Sequence, residues 1–126
     1  MRDLQILVVE DNERNMRLFR DVLQAAGHRT LAATTGERAV ELATEHAPDL
    51  VLMDIQLPGI DGVEALGRLR SDERTRTVPV LALTAQAMEG DRERFLAAGF
   101  DGYLSKPVNI ADLVGTVRRY GTGDTR

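Results

Sequence analysis

Five short runs made almost wholly of apolar residues recur along the chain, separated by longer segments whose apolar residues fall at helical spacing. The runs are residues 6–9 (ILVV), 30–33 (TLAA), 50–53 (LVLM), 80–83 (VLAL) and 103–104 (YL). A strand that is apolar throughout suits burial on both faces, the situation of a parallel sheet with helices above and below. The second run is alanine-rich and the fifth very short, so these two carry the weaker strand signal.

The intervening segments read as amphipathic helices. Met16, Phe19, Val22, Leu23 and Ala26 line one stripe, and Gly27 can stop that helix. Thr35 can cap a second helix carrying Val40 and Ala43 and ended by Pro48. Val63, Leu66 and Leu69 form a third stripe. Residues 88–98 form a fourth helix with Gly99 as its C-cap. Ile110, Leu113, Val114 and Val117 form the fifth and cleanest stripe, with Asn109 as a candidate cap. Five strand–helix repeats with short connections predict an α/β domain, a doubly wound five-stranded parallel sheet covered by five helices. The 126 residues suffice for one such domain and no second. We read residues 1–120 as the domain and 121–126 as a polar tail.

Composition narrows the function. There is no cysteine, so neither a disulfide framework nor a thiolate metal site is available, which fits a reducing compartment. A formal net charge of -4, no tryptophan and no run of basic residues speak against direct nucleic-acid binding. The longest apolar runs fall far short of a membrane span, and the first residues lack the shape of a signal peptide. A cytoplasmic protein is expected.

In an open α/β sheet, ligands bind at the carboxyl ends of the strands. The residues standing there are Glu10 and Asp11 after the first strand, Asp54 after the third, Thr84 after the fourth and Lys106 after the fifth. Three clustered carboxylates repel one another unless a cation shares the site. Mg²⁺ answers that need, since it prefers oxygen ligands and keeps exchangeable waters. Lys106 offers a point charge for a carboxylate or a phosphoryl oxygen, and Thr84 a hydroxyl for the same group. Asp54 is then the natural nucleophile, because carboxylates can form aspartyl phosphates. Catalysis would rest on positioning and charge neutralisation.

Plainer readings exist for each residue. Asp11 can cap the helix that follows it, and Lys106 can be a solvated loop lysine. Met88 and Phe95 can pack in the core or face a partner. His28 and His46 read as surface residues. A flavin-binding domain shares the architecture but needs a phosphate-cradling loop where Glu10 and Asp11 would repel phosphate. A metal-dependent phosphohydrolase would need an acid–base partner and a substrate cap. A phosphate-independent scaffold would not need the acidic cluster.

The stretches from Leu7 to Asn12 (LVVEDN), Leu50 to Gly59 (LVLMDIQLPG), Leu83 to Ala85 (LTA) and Leu104 to Pro107 (LSKP) resemble the marks of response-regulator receiver domains of two-component signalling. The resemblance covers residues 4–120 and implies a flavodoxin-like sheet in the order 2-1-3-4-5. It implies Asp54 as phosphoacceptor; Glu10, Asp11, Asp54 and the backbone carbonyl of Gln56 as Mg²⁺ ligands; Lys106 as phosphate partner; and a cis bond before Pro107. Thr84 and Tyr103 would be the switch pair, although Tyr103 can also simply pack with its hydroxyl in water. Gln56 and Gln86 would tune hydrolysis of the acyl phosphate by positioning water. The stretches from Glu10 to Phe19 and from Ala85 to Asp91 resemble DivK-type single-domain regulators, whose setting is cell-cycle or polarity control. Receivers of hybrid histidine kinases share the first of these, so a receiver module from such a kinase or larger regulator is the alternative. The implied partners are a sensor histidine kinase or phosphotransfer protein as donor and a downstream protein target. The implied state is a monomer or a phosphorylation-dependent dimer, acting as a phosphoacceptor and not as a turnover enzyme.

Overall fold

The computed structural model describes residues 4–85 and 90–121. Among the described residues ten elements alternate: β1 (Gln5–Val9), α1 (Glu13–Ala25), β2 (Arg29–Ala33), α2 (Gly36–His46), β3 (Leu50–Asp54), α3 (Gly62–Arg70), β4 (Val80–Thr84), α4 (Asp91–Ala98), β5 (Gly102–Ser105) and α5 (Ile110–Gly121). The strands form one parallel sheet in the order β2-β1-β3-β4-β5. This is the doubly wound arrangement expected from the repeat pattern. The predicted tail beyond Gly121 lies outside the described residues.

Side chains alternate across a strand, so each central strand feeds two cores. Leu7, Val9, Val51, Met53, Val80 and Ala82 face one layer, packed with Ala39, Leu42, Leu66, Leu69 and Phe95 from α2, α3 and α4. Ile6, Val8, Leu50, Leu52, Leu81 and Leu83 face the other, packed with Met16, Phe19 and Leu23 of α1 and Leu113 and Val117 of α5. That double burial is why β1, β3 and β4 show no polar alternation. The edge strands β2 and β5 are only partly covered, which accounts for their weaker apolar signal.

Helix ends follow local chemistry. Thr35 Oγ1 accepts from the Arg38 N–H at 3.1 Å, and Asn109 Oδ1 accepts from the Ala111 and Asp112 N–H groups at 2.8 and 3.2 Å. The cap of α1 is Asn12, whose Oδ1 accepts from the Asn15 N–H, so Asp11 is not used for capping. The described part of α4 begins at Asp91 after Gly90, and the predicted start at Met88 lies outside the described residues.

Several expected surfaces and stripes shift. Val63 and Ile110 point to solvent at 42% and 54% exposure, because the inward faces of α3 and α5 are set by Ala65, Leu66, Leu69, Leu113 and Val117. Phe95 does not face a partner. It is buried, with its ring centroid 6.1 Å from both Phe100 and Tyr103. His28 is buried as well, and its Nδ1 accepts the Leu4 N–H at 3.1 Å, whereas His46 is exposed as expected.

Arg70 joins three segments at the far end of α3. Its guanidinium donates to the carbonyls of Arg76, Val78 and Gly99 and to Asp101 Oδ2, which also accepts the Val80 N–H. The described residues contain no helix long and apolar enough to cross a membrane.

Leu66→Ala should cost about 2–5 kcal/mol, as for a buried leucine truncated in a close-packed core. Val63→Ala in the same helix should change stability by no more than about 0.5 kcal/mol. Urea unfolding of the two variants checks the ordering, and equal losses would contradict this packing of α3.

Candidate functional site

The parallel sheet turns the carboxyl ends of β1, β3, β4 and β5 to one edge, and five of the predicted residues meet there. Glu10 follows β1 directly, and its N–H donates to the Ala33 carbonyl of β2. Asp54 ends β3 and Thr84 ends β4, and both are 4% exposed. Lys106 follows β5, with its N–H donating to the Thr84 carbonyl at 2.7 Å. The Lys106–Pro107 peptide is cis.

The side chains converge closely. Glu10, Asp11 and Asp54 each bring a carboxylate oxygen within 4.8 Å of the others. Lys106 Nζ donates to Asp54 Oδ2 at 2.9 Å and stands 2.8 Å from Glu10 Oε1. The second contact is an ion pair off the direction of a hydrogen bond, so Glu10 Oε1 is buried with no aligned donor. The other oxygen, Oε2, accepts the Asn12 N–H at 3.1 Å. Asp54 Oδ1 accepts the Gln56 N–H at 3.0 Å, which ties the carboxylate to the backbone two residues on.

Burial pushes Glu10 above the ordinary carboxylate range and outweighs the lowering contributed by Lys106 and the Asn12 N–H. Burial also pulls Lys106 down, but Glu10 and Asp54 beside it more than offset this, so the ammonium holds its proton more firmly than usual. Three carboxyl groups share the crevice with a single ammonium. The donor set is all oxygen, one buried oxygen lacks an aligned donor, and Asp11 is exposed at the mouth. These residues suit a hard divalent cation such as Mg²⁺.

Tyr103 is half-buried on β5 with its ring tilted 52° to that of Phe95. The side chain of Gln56 is exposed beside Asp54, while Gln86 lies outside the described residues. Two contributors escaped sequence reasoning. Asn12 both caps α1 and holds Glu10, a role signalled by the preference of Asn for helix starts. Gly62 packs on the backbone of Asp54. Its only signal is a glycine directly after the capping residue Asp61, where no turn needs one.

A doubly wound α/β domain with an acidic crevice and a bridging lysine defines a class, and comparison with known proteins agrees. The profile for the response regulator receiver domain matches residues 6–118. This chain belongs to the response-regulator receiver family of two-component systems. It is 47% identical over 115 residues to the polar-differentiation response regulator DivK of Brucella ovis, covering 91% of this chain and 94% of that protein. Among solved structures, a putative response regulator from Chloroflexus aurantiacus superposes with a TM-score of 0.88 at 33% identity, covering 94% of this chain and 98% of that one. The receiver domain of a sensor histidine kinase from Pseudomonas aeruginosa, with a magnesium ion coordinated in its active-site cleft, gives 0.86 at 39% identity, with coverage of 94% and 98%.

Glu10 sets a pH test. Its raised folded pKa means that this group's contribution to stability is full below the unfolded value of about 4.3 and is lost as pH rises through the folded value. A divalent cation that takes up the ionised carboxylate restores what was lost. The rise in Tm on adding Mg²⁺ should therefore be larger at neutral pH than at about pH 4. Thermal unfolding with and without Mg²⁺ at both pH values checks this, and an equal rise at both would contradict it.

Proposed function

We propose that this chain is a Mg²⁺-dependent phosphoacceptor switch in which Asp54 takes a phosphoryl group from a histidine kinase or phosphotransfer protein. The observation that carries the reading is Lys106 Nζ within 2.9 Å of both Asp54 and Glu10, in a cluster with Asp11. Glu10, Asp11 and Asp54, with the Gln56 carbonyl, would hold the metal, which when bound supplies charge neutralisation for phosphoryl transfer.

The chain's own residues carry the rest. A carboxylate oxygen of Asp54 attacks phosphorus as the donor's phosphorus–nitrogen bond breaks, and the leaving imidazole keeps the electron pair. The Gln56 N–H holds Asp54 Oδ1 in place during the attack. Lys106 pairs with the carboxylate beforehand and with a phosphoryl oxygen afterwards. The product carries added charge and strong acceptor oxygens. Thr84, on the strand next to Asp54, donates its hydroxyl to them, and Tyr103 turns inward from β5 as Thr84 moves.

This links the site to the face formed by α4, β5 and α5. Beside β5 and α5 runs a groove of about 640 Å³, lined by Tyr103, Ser105, Val108, Asp112, Thr116 and Arg119 among others. In physical terms the phosphoryl group favours one of two states of that face, and a downstream protein reads the difference. Gln56 and Gln86 tune the lifetime of the acyl phosphate. The chain undergoes self-catalysed phosphotransfer and dephosphorylation and is not a turnover enzyme. It acts in the cytoplasm, and the similarity to DivK favours a role in cell-cycle or polarity control.

Incubation with Mg²⁺ and acetyl phosphate, followed by intact-mass measurement, tests the reading. One phosphoryl group should be gained, and the gain should vanish in Asp54→Asn and without Mg²⁺. Labelling of Asp54→Asn equal to the parent would overturn the assignment.

A further inference from the structure

Gly62 opens α3 with its bare Cα pressed against the peptide that joins Asp54 to Ile55. A Cβ at this position would stand 2.4 Å from the Asp54 carbonyl oxygen, 2.9 Å from Ile55 Cα and 3.1 Å from the Asp54 carbonyl carbon. Real Cβ atoms essentially never come within 3.0 Å of another group, and all three atoms here are backbone, with no flexible end to swing aside. Gly62 is not among the glycines of positive φ. The position therefore needs empty space and not unusual backbone freedom.

The same contact is fastened on both sides. The Gly62 N–H donates to the Ile55 carbonyl at 2.9 Å, and the Ile55 N–H donates to the Leu83 carbonyl of β4 at 3.0 Å. Ile55, directly after Asp54, is thus clamped between β4 and the first turn of α3 through its own N–H and carbonyl. We propose that Gly62 is a positioning residue for phosphoryl acceptance, setting through this clamp where the Asp54 carboxylate and the Gln56 peptide sit. The inference rests on the receiver reading and concerns a residue outside the acidic crevice.

The direction of yielding follows from burial. The β3 residues before Asp54 and the inward face of α3 (Ala65, Leu66, Leu69) are fully buried and packed, while most of the loop from Ile55 to Asp61 is exposed or half-buried. An added methyl must be accommodated by more than half an ångström, and the loop that carries Gln56 is the part able to move. Functional groups tolerate displacements of only about 0.5 Å, and about 1 Å can cost on the order of 100-fold in rate. Gly67 lies in the same helix with nothing within 4 Å of its added Cβ, which makes it the natural control.

The test compares parent, Gly62→Ala and Gly67→Ala under conditions where urea curves show each to be folded. Mg²⁺ affinity is read by calorimetry, and the phosphoryl gain rate with acetyl phosphate by intact mass. Gly62→Ala should lose roughly tenfold or more in both, and Gly67→Ala should stay within about twofold of the parent. A folded Gly62→Ala with parental Mg²⁺ affinity and rate overturns the proposal, since a merely structural glycine would lower stability alone. If Gly62→Ala does not fold in buffer, the measurements are repeated in sucrose, which favours the compact state. Failure to fold there also overturns it, because the clash would then be borne by the fold and not by the site. A parent that neither binds Mg²⁺ nor gains phosphoryl removes the receiver reading and this inference with it.

Discussion

Glu10 and Asp54 are held almost out of water at the ends of adjacent strands, and burying two like charges side by side is unfavourable unless a cation lies between them. Lys106 supplies one cation from a third strand end, reaching both carboxylates within 2.9 Å. It cannot satisfy them fully: Glu10 Oε1 keeps no aligned donor, and Asp11 adds a further negative charge at the mouth. The crevice is therefore left short of positive charge. That shortage suits the all-oxygen cluster to a hard divalent ion.

The rest of the molecule serves to hold those strand ends in register. β1, β3 and β4 are buried on both faces, so they cannot slip without moving a whole layer of packed side chains from one core to the other. Above that scaffold the loops are fixed by close approach and by directed hydrogen bonds. The Asn12 N–H holds Glu10, the Gln56 N–H holds Asp54, and Gly62 lets α3 close onto the peptide beyond Asp54. At the opposite end of α3, Arg70 ties the connection before β4 to the turn after α4 through three carbonyls and Asp101. Chemistry and anchoring are thus kept at different ends of the same helix.

Tyr103 packs on β5 within an aromatic cluster. Its ring packs beside Phe95, which is itself buried against Phe100, so β5 and α4 share one aromatic cluster within the chain. A movement of Tyr103 must repack that cluster, and α4 lies directly on it. Phe95 is thereby part of the core and is not exposed at the surface.

The order of short apolar runs and helical stripes was enough to determine the doubly wound sheet, because burial on both faces leaves a composition that few other arrangements permit. The acids at the ends of the first and third runs, with Thr84 and Lys106 at the ends of the fourth and fifth, marked the site for the same reason: strand ends of a covered parallel sheet share one edge. What the sequence could not decide were matters of direction and distance. Val63 and Ile110 match their helical stripes in spacing, yet they point outward, since the angle at which a helix settles on a sheet chooses which part of an apolar stripe is covered. His28 reads as a polar surface residue, and only the packed structure supplies the Leu4 N–H that lets it be buried. Asn12 and not Asp11 caps α1, leaving Asp11 for the acidic cluster, and Gly62 leaves open a space where a Cβ would stand only 2.4 Å from the Asp54 carbonyl oxygen. Periodicity and residue type are properties of the chain, but which atoms meet is set by packing between segments far apart in sequence, and that exists only once the fold has formed.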